Sequence, residues 1–297
     1  MIYRFDKVVG TGGIGVGMLF HTDDDRTLGR SESRLVRLSG AKDYCKLHIV
    51  FHYIAKLLAP EIKVLPVGCV GEDAAGERLV SQMQQCGMDL SYVEKRRDYP
   101  TAISVCLQYP DKEGCNFTAS NGAGEAVTRE YIERCLREIA PNERTVVAAI
   151  PEVSLESRMR LLQIGKENGS YCVLSFAAAE SGWVRKNELL RYCDLLSVNE
   201  EEALSLIAEE VPSDRIPERL YHYAAALNPE ITVLVTCGKK GAYVCDKNGA
   251  ERINPFPAKA VNTSGAGDAF LGGTIAAFAL GYPLKKGVLI PLSVKRH

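Results

Sequence analysis

The chain has 297 residues, 46% of them hydrophobic and 25% charged, with a formal net charge of −1 at pH 7. This balance argues against a nucleic-acid or anionic-membrane partner, and no apolar run approaches the ~20 residues that span a bilayer. MIYRFDKVVG lacks the long apolar centre of a secretion signal, so we expect a cytoplasmic globular protein. The 10 cysteines are scattered, with no Cys-x-x-Cys pair, and are interpreted as reduced and structural.

The first predicted element is a strand that starts near Lys7 and runs into a glycine-rich turn. Gly10, Gly12 and Gly15 match the G-x-G-x-x-G pattern of dinucleotide sites. That pattern must lead into a helix, but MLFHTDDDRTLGR follows, with an acidic turn signal and no helical period. The dinucleotide interpretation is therefore disfavoured.

The segment DYCKLHIVFHYIAKLLAPE predicts a helix that ends before Pro60. Its apolar residues recur at helical spacing, at Leu47, Val50, Phe51, Ile54, Leu57 and Leu58. His48, His52 and Lys56 share another face. Two histidines at this spacing suit a metal, but the sequence offers no evident third ligand, which favours a solvated or interfacial face.

Two further units follow in the first half of the chain. KVLPVGCVGEDAAGERLVSQMQQCGMDLSYVE predicts a buried strand, a turn and an amphipathic helix that Asp73 caps and Gly87 ends. Residues Thr101 to Leu107 and Asn116 to Ser120 predict two strands, joined as a hairpin by YPDKEGC.

From Val127 onward, predicted helices and strands alternate. EYIERCLREI leads to TVVAAIP, SLESRMRLLQIGKENG to YCVLSF, ELLRYC to DLLSVN, and RLYHYAAAL to ITVLVTCG. Apolar strands separated by amphipathic helices predict a parallel sheet that is covered on both faces. Ligands of such sheets bind at the carboxyl ends of the strands.

Two polar segments lie at such strand ends, and each has two interpretations. Asn199 to Glu202 follow DLLSV and form either part of a magnesium–phosphate site or a helix start whose acids interact with the dipole. Thr236 to Gly241 follow ITVLV and form either a nucleotide-binding turn or only the turn of a hairpin into AYVCD.

The most informative stretch is AVNTSGAGDAFLGG, where a glycine turn opens a small-residue apolar helix. The first-turn N–H groups of a helix lack partners inside it, and the dipole makes this end suitable for an anion. Asp268 would share the site with a bound phosphate and could take the proton of an attacking hydroxyl. The alternative is an ordinary first-turn acid that stabilises the helix.

Residues Asn262 to Phe270, NTSGAGDAF, resemble the C-terminal signature D-T-x-G-A-G-D-x-F of the PfkB carbohydrate kinases, with Asn262 where the family more often has Asp. The resemblance implies a ribokinase-like three-layer αβα fold with a mostly parallel sheet and a small β lid. It also implies ATP-dependent phosphorylation of a hydroxymethyl group on a sugar or nucleoside. Asp268 would be the general base, and the amides of Gly265, Ala266 and Gly267 would form the anion hole.

The same resemblance implies the remaining assignments. Residues 1–297 would form a single kinase domain, with lid segments at approximately 16–40 and 98–122. Nucleotide-binding positions would be Thr236, Gly238, Lys239, Gly241, Asn262 and Ser264. Mg²⁺ would be held by Asn199 and Glu202, in part through water. Substrate-binding positions would be Gly12, Gly13, Asp43, Lys46, His48 and Asn121.

Several positions depart from the family pattern. Glycines stand where an Asp normally binds the sugar, the G-G-x-x-x-N helix start is replaced, and GYPLKKGVLIPLSVKRH is shorter than the usual C-terminal end. The sequence therefore leaves the substrate open. Two alternatives also stay open: a hydroxymethylpyrimidine- or pyridoxal-type kinase, which generally lacks the lid, and a non-catalytic sugar- or nucleotide-binding relative. A homodimer through the lid is a further expectation, because exposed edge strands need covering.

Overall fold

The computed structural model describes residues 3–40, 43–111, 114–255 and 265–287. In chain order its strands are β1 Lys7–Thr11, β2 Gly15–His21, β3 Arg37–Leu38, β4 Asp43–Tyr44, β5 Lys63–Gly71, β6 Val93–Arg96, β7 Ala102–Gln108, β8 Gly114–Thr118, β9 Thr145–Ala149, β10 Tyr171–Leu174, β11 Leu195–Asn199, β12 Thr232–Thr236, β13 Ala242–Asp246 and β14 Gly249–Ile253. Its helices are α1 Lys46–Leu58, α2 Ala74–Gln85, α3 Arg129–Ile139, α4 Leu155–Glu167, α5 Ser181–Lys186, α6 Glu200–Ile207, α7 Ile216–Leu227, α8 Ala266–Ala279 and α9 Leu284–Gly287. Over these ranges, no helix combines the length and the apolar character needed to cross a membrane.

The larger sheet has nine strands in the order β14-β13-β12-β11-β10-β9-β1-β5-β6. Its strands run parallel from β12 to β6, and β13 and β14 add an antiparallel edge. The parallel strands therefore share one carboxyl edge, which is where the sequence predicted a ligand crevice. The predicted alternation of helices and strands is confirmed.

Helices cover this sheet on both faces because side chains alternate along each strand. Val8 and Val146 pack with α1, α2 and α8 on one face. Val9 and Val147 pack with α3, α4, α6 and α7 on the other. The predicted three-layer αβα architecture with a mostly parallel sheet is confirmed.

A second, smaller sheet of five strands, which we call the lid, has the order β3-β2-β7-β8, with β4 also paired to β2. Strand β2 runs parallel to β7, in a register that pairs Gly15 with Ala102. β7 and β8 form the predicted hairpin. Because β2 follows the glycine turn where a dinucleotide fingerprint requires a helix, the disfavoured dinucleotide interpretation is wrong.

Local details of helix α2 agree with the sequence. Asp73 Oδ1 accepts hydrogen bonds from the Gly76 N–H at 2.8 Å and from the Thr101 hydroxyl at 2.7 Å, so this carboxylate caps α2 and ties it to the start of β7. Gly87 follows the helix with φ 93°, a conformation that suits glycine.

Two further predictions have different outcomes. All ten cysteines are free thiols, seven of them buried, as expected for reduced structural residues. The predicted helix over ELLRYC is instead a short 3₁₀ turn at Leu189–Tyr192, because this segment is too brief to form an amphipathic α-helix.

Candidate active site

Helix α8 begins at the glycine turn and carries Asp268 in its first turn. Gly265 is the N-cap, with φ 66°, a left-handed conformation that costs glycine little. A Cβ at Gly267 would meet no atom within 4 Å, so a ligand can approach the backbone here. Together with Ala266, these residues present the N–H groups of a helix start, which suits an anion.

The packing of α8 against α1 determines where Asp268 lies. A Cβ at Gly272 would come within 2.6 Å of Val50 O, so this glycine permits close contact between the two helices. Their first turns also meet, since Lys46 Nζ lies 4.0 Å from Asp268 Oδ1. The two helices therefore run in the same direction, and both N-termini face one place at the carboxyl edge of the sheet.

A carboxylate that sequence reasoning missed lies in the same place. Glu152 follows β9 and has a left-handed backbone, with φ 80°. Its Oε2 accepts a hydrogen bond from the Lys46 N–H at 2.8 Å, and its Oε1 accepts one from the Thr118 hydroxyl of the lid at 3.3 Å. The available signal was a charged residue directly after the buried run TVVAAIP, at the end of a parallel strand.

Four carboxylates act on the Lys46 ammonium. Asp268 raises the pKa of Lys46 most, burial opposes this rise, and Glu202, Glu152 and Glu180 contribute further increases. Burial raises the pKa of Glu152 and of Glu202, and the Asp268 charge adds to both rises while Lys46 opposes them. The site thus concentrates negative charge around one cation.

Asn199 and Glu202 form a reciprocal cap at the start of α6. Asn199 Oδ1 accepts from the Glu202 N–H, and Glu202 Oε2 accepts from the Asn199 N–H, both at 2.8 Å. The helix-start interpretation therefore describes their local geometry correctly. It leaves room for a second role of Glu202, which is half-buried and lies close enough to Asp268 and Lys46 for their charges to affect its pKa.

The segment from Thr236 to Gly241 forms the turn between β12 and the antiparallel β13. Gly241 has φ 95°, and a Cβ there would lie 2.1 Å from Ile253 O, so a glycine is structurally required. Gly238 has φ 52° and open space beside it, and Lys239 is exposed. Lys240 Nζ lies 4.0 Å from Glu200 Oε1, which brings this turn next to the start of α6.

The remaining predicted positions differ in their access to the crevice. Asp43 lies in the lid, where its Oδ2 accepts a contact from Cys106 Sγ at 3.4 Å. Asn121 is exposed in the segment that follows β8. His48 is only 1% exposed and stacks on Tyr44 with ring centroids 4.1 Å apart, so its side chain does not line the crevice.

The glycines after β1 lie against the segment that follows β9. A Cβ at Gly12 would come within 2.8 Å of Ile150 Cβ. Gly13 donates its N–H to Pro151 O at 2.9 Å. Two predicted nucleotide positions, Asn262 and Ser264, lie outside the described residues.

Comparisons with known proteins identify the family and the fold of this chain. The sequence profile described as pfkB family carbohydrate kinase matches residues 50–291. The chain is 28% identical over 237 residues to a ribokinase from Schizosaccharomyces pombe, covering 78% of this chain and 72% of the relative. It is 26% identical over 215 residues to a ribokinase from Haemophilus influenzae, covering 72% and 68% of the two chains.

Solved structures share the fold. A ribokinase from Giardia lamblia superposes with a TM-score of 0.79 at 17% identity, covering 96% of this chain and 89% of that one. Arabidopsis thaliana ribokinase complexed with ribose and ATP superposes with a TM-score of 0.74 at 19% identity, covering 97% and 90%. At these identities the likeness establishes the architecture.

Proposed function

Because the chain belongs to the pfkB family of carbohydrate kinases, we propose that it transfers the terminal phosphoryl group of ATP to a hydroxymethyl group of a sugar or nucleoside. The observation that carries this proposal is the position of Asp268 in the first turn of α8, beside the open glycine turn and 4.0 Å from Lys46 Nζ. A candidate base and a set of N–H groups that suit an anion thus lie next to each other.

In this mechanism, Asp268 accepts the proton of the acceptor hydroxyl while the hydroxyl oxygen forms a bond to the terminal phosphorus. The bond from that phosphorus to the bridging oxygen breaks, and ADP leaves with the electron pair. The N–H groups of Gly265, Ala266 and Gly267 stabilise the charge on the transferring group. Positioning and electrostatics supply most of the rate enhancement in such reactions.

The acceptor would lie between the crevice and the lid. Glu152 is the strongest candidate for a hydroxyl-binding carboxylate, because Lys46 and Thr118 hold it in place and it lies close enough to Asp268 for that charge to affect its pKa. Asp43 offers a second carboxylate from the lid. The other proposed contacts are Gly12, Gly13, Lys46 and Asn121, and the burial of His48 argues against its contact with the acceptor.

The nucleotide would lie along the turn after β12. Thr236, Gly238, Lys239 and Gly241 border the start of α6, where the Lys240–Glu200 pair joins the two segments. Asn262 and Ser264 stay proposed contacts by resemblance. Open space beside Gly238 leaves room for a ligand to contact the backbone.

The charge cluster also fits a divalent cation. The described residues include no group of three or more His, Cys, Asp or Glu side chains arranged as metal ligands, and Mg²⁺ typically needs only one or two carboxylates, with water and phosphate supplying the rest. Glu202 would hold the ion directly, since one of its oxygens is free of the cap bond, and Asn199 would act through water. Bound there, Mg²⁺ would neutralise charge on the phosphate oxygens.

We further propose that the chain forms a homodimer through the lid. Directly paired residues share a face of a sheet, and Val105 pairs with both Met18 and Phe117. The face they form is apolar. Phe117 is 62% exposed and Leu38, on edge strand β3, is 64% exposed, so a second copy would cover apolar surface. Phe117→Asp should shift the sedimentation coefficient from that of a dimer to that of a monomer.

A coupled assay of ATP consumption tests the reaction. The panel contains pentoses, hexoses, polyols, sugar phosphates and nucleosides, each with Mg²⁺ and the full-length chain, and Asp268→Asn provides the background rate. The proposal expects acceptor-dependent ADP formation with at least one sugar or nucleoside, and a phosphomonoester product by mass spectrometry. Ligand binding without any ADP formation across the panel would instead support the non-catalytic alternative.

A further inference from the structure

Lys46 stands at a position where helix geometry disfavours a lysine. It is the first residue of α1, and the first turn of this helix contains no acidic residue. The N-terminus of a helix carries partial positive charge, so a cation there is destabilising unless other charges compensate. The residue therefore needs an explanation other than the stability of α1.

The compensating charges come from several separate elements around the crevice. Asp268 belongs to α8, Glu202 to α6, Glu152 to the segment after β9 and Glu180 to the segment after β10, and all four act on the Lys46 ammonium. Without this cation, the carboxylates would repel the oxygens of an incoming triphosphate. Lys46 thus supplies positive charge at the place where the proposed reaction brings in more negative charge.

The distance between Lys46 Nζ and Asp268 Oδ1 determines which groups of a bound substrate the ammonium can contact. An acceptor oxygen that gives its proton to Asp268 must lie about 3 Å from the carboxylate. The transferring phosphorus is bonded to that oxygen as the reaction proceeds. An ammonium 4.0 Å from Asp268 Oδ1 can therefore reach phosphoryl oxygens at that point. Lysine suits this task because it is a compact charge on a flexible stem.

We propose that Lys46 is a catalytic residue whose ammonium donates a hydrogen bond to an oxygen of the transferring phosphoryl group. This inference rests on the proposed function, since it takes Asp268 as the base. Lys46 keeps its proton throughout and forms no covalent bond. Together with the N–H groups of α8, the ammonium offsets the negative charge of the phosphoryl group during its transfer.

Three variants of the full-length chain test the role. Lys46→Met removes the charge at similar length, Lys46→Arg retains it, and Lys56→Met removes an exposed lysine from the last turn of the same helix. With an acceptor from the ATP-consumption panel, we expect Lys46→Met to lower kcat about 100-fold. The KM of the acceptor should rise by a smaller factor than kcat falls, because Lys46 is one of several proposed acceptor contacts, whereas its contact with the phosphoryl group forms mainly in the transition state. Lys46→Arg should recover part of the rate, and Lys56→Met should match the wild type.

A binding measurement separates catalysis from a structural role. ADP with Mg²⁺ and aluminium fluoride, which imitates the transferring phosphoryl group, should bind the wild type more tightly than ADP with Mg²⁺ alone. Lys46→Met should lose this tightening while retaining its affinity for ADP and its thermal unfolding temperature. If Lys46→Met is unstable, Lys46→Gln replaces it in both assays.

Different outcomes identify which assignment fails. A wild type and Lys46→Met with equal kcat and equal tightening by fluoride, alongside an inactive Asp268→Asn, would overturn the role of Lys46 alone. If Lys46→Met only raised the KM of the acceptor and left kcat unchanged, the catalytic role would also be overturned, and Lys46 would be a binding residue. Absence of transfer by the wild type to every acceptor would overturn both this inference and the proposed function.

Discussion

The side chain of Glu152 lies directly against the backbone of Gly13. A methyl group at position 13 would come within 2.3 Å of Glu152 Oε2 and 2.6 Å of Glu152 Cβ. The glycine that stands in place of the expected Asp therefore makes room for a carboxylate from the segment after β9, more than a hundred residues later in the chain. Gly13 and Glu152 are one structural unit in this site.

Gly13→Ala should displace Glu152 and weaken the acceptor site. Overpacking of this kind typically costs about 1–3 kcal/mol, so we expect a lower free energy of unfolding in urea together with a raised KM for the acceptor. Gly29→Ala is the control, because the nearest atom to a Cβ at that position is 3.6 Å away. A Gly13→Ala variant with unchanged KM and unchanged stability would contradict the contact.

Glu202→Gln should raise the Mg²⁺ concentration needed for half-maximal activity. Gln retains the capping geometry at the third helical position, so the substitution removes charge without removing the cap bonded to Asn199. Glu201→Gln is the matched control, since Glu201 lies in the same first turn and is exposed. Equal Mg²⁺ dependence in the two variants would argue that Glu202 serves the helix alone.

The buried His48 should make stability depend on pH. Burial lowers the pKa of His48 from 6.5 to about 3, and the neighbouring His52 contributes to the shift. As pH falls below about 6.5, the unfolded chain takes up a proton that the folded chain refuses. The neutral His48 therefore does not reduce the free energy of unfolding above about pH 6.5. Below that pH, the free energy of unfolding decreases progressively towards pH 3.

His48→Leu should reduce this loss, since within the described residues His48 Nδ1 has no hydrogen-bond partner to replace. The measurement is the free energy of unfolding in urea at several pH values between 6.5 and 4, with the exposed His222→Leu as control. The slope against pH should fall for position 48 and stay unchanged for position 222. An unchanged slope for both would contradict the assignment of the acid sensitivity to His48.

Local patterns in the sequence predict much of this fold. The apolar runs that became β9 to β12 and the helical spacing of α1 are strong periodic signals, and the cap at Asp73 follows from side-chain chemistry. The resemblance carried by NTSGAGDAF added the proposal that Asp268 is the general base. Strand β6 escaped notice because its sequence, VEKR, is polar and it is recognisable as a strand by its pairing with β5.

Contacts between distant segments account for what the sequence did not predict. Glu152 and Lys46 are separated by 106 positions, and no local pattern indicates that they meet. The same applies to the contact of Thr118 with Glu152, which joins the lid to the core. Helix periodicity placed His48 on a face with His52 and Lys56, but whether that face is buried depends on Tyr44 and Cys86, which come from other elements.

The turnover of Asp268→Asn tests the central assignment most directly. Asn has nearly the same size as Asp, and Glu202, Glu152 and Glu180 still act on the Lys46 ammonium, so the thermal unfolding temperature should stay within about 2 °C of the wild type. The exposed Asp214→Asn serves as the control. We predict that kcat falls by about 10³-fold or more in Asp268→Asn, because the general base is lost, and is unchanged in Asp214→Asn. Near-normal turnover by a folded Asp268→Asn variant would contradict the account.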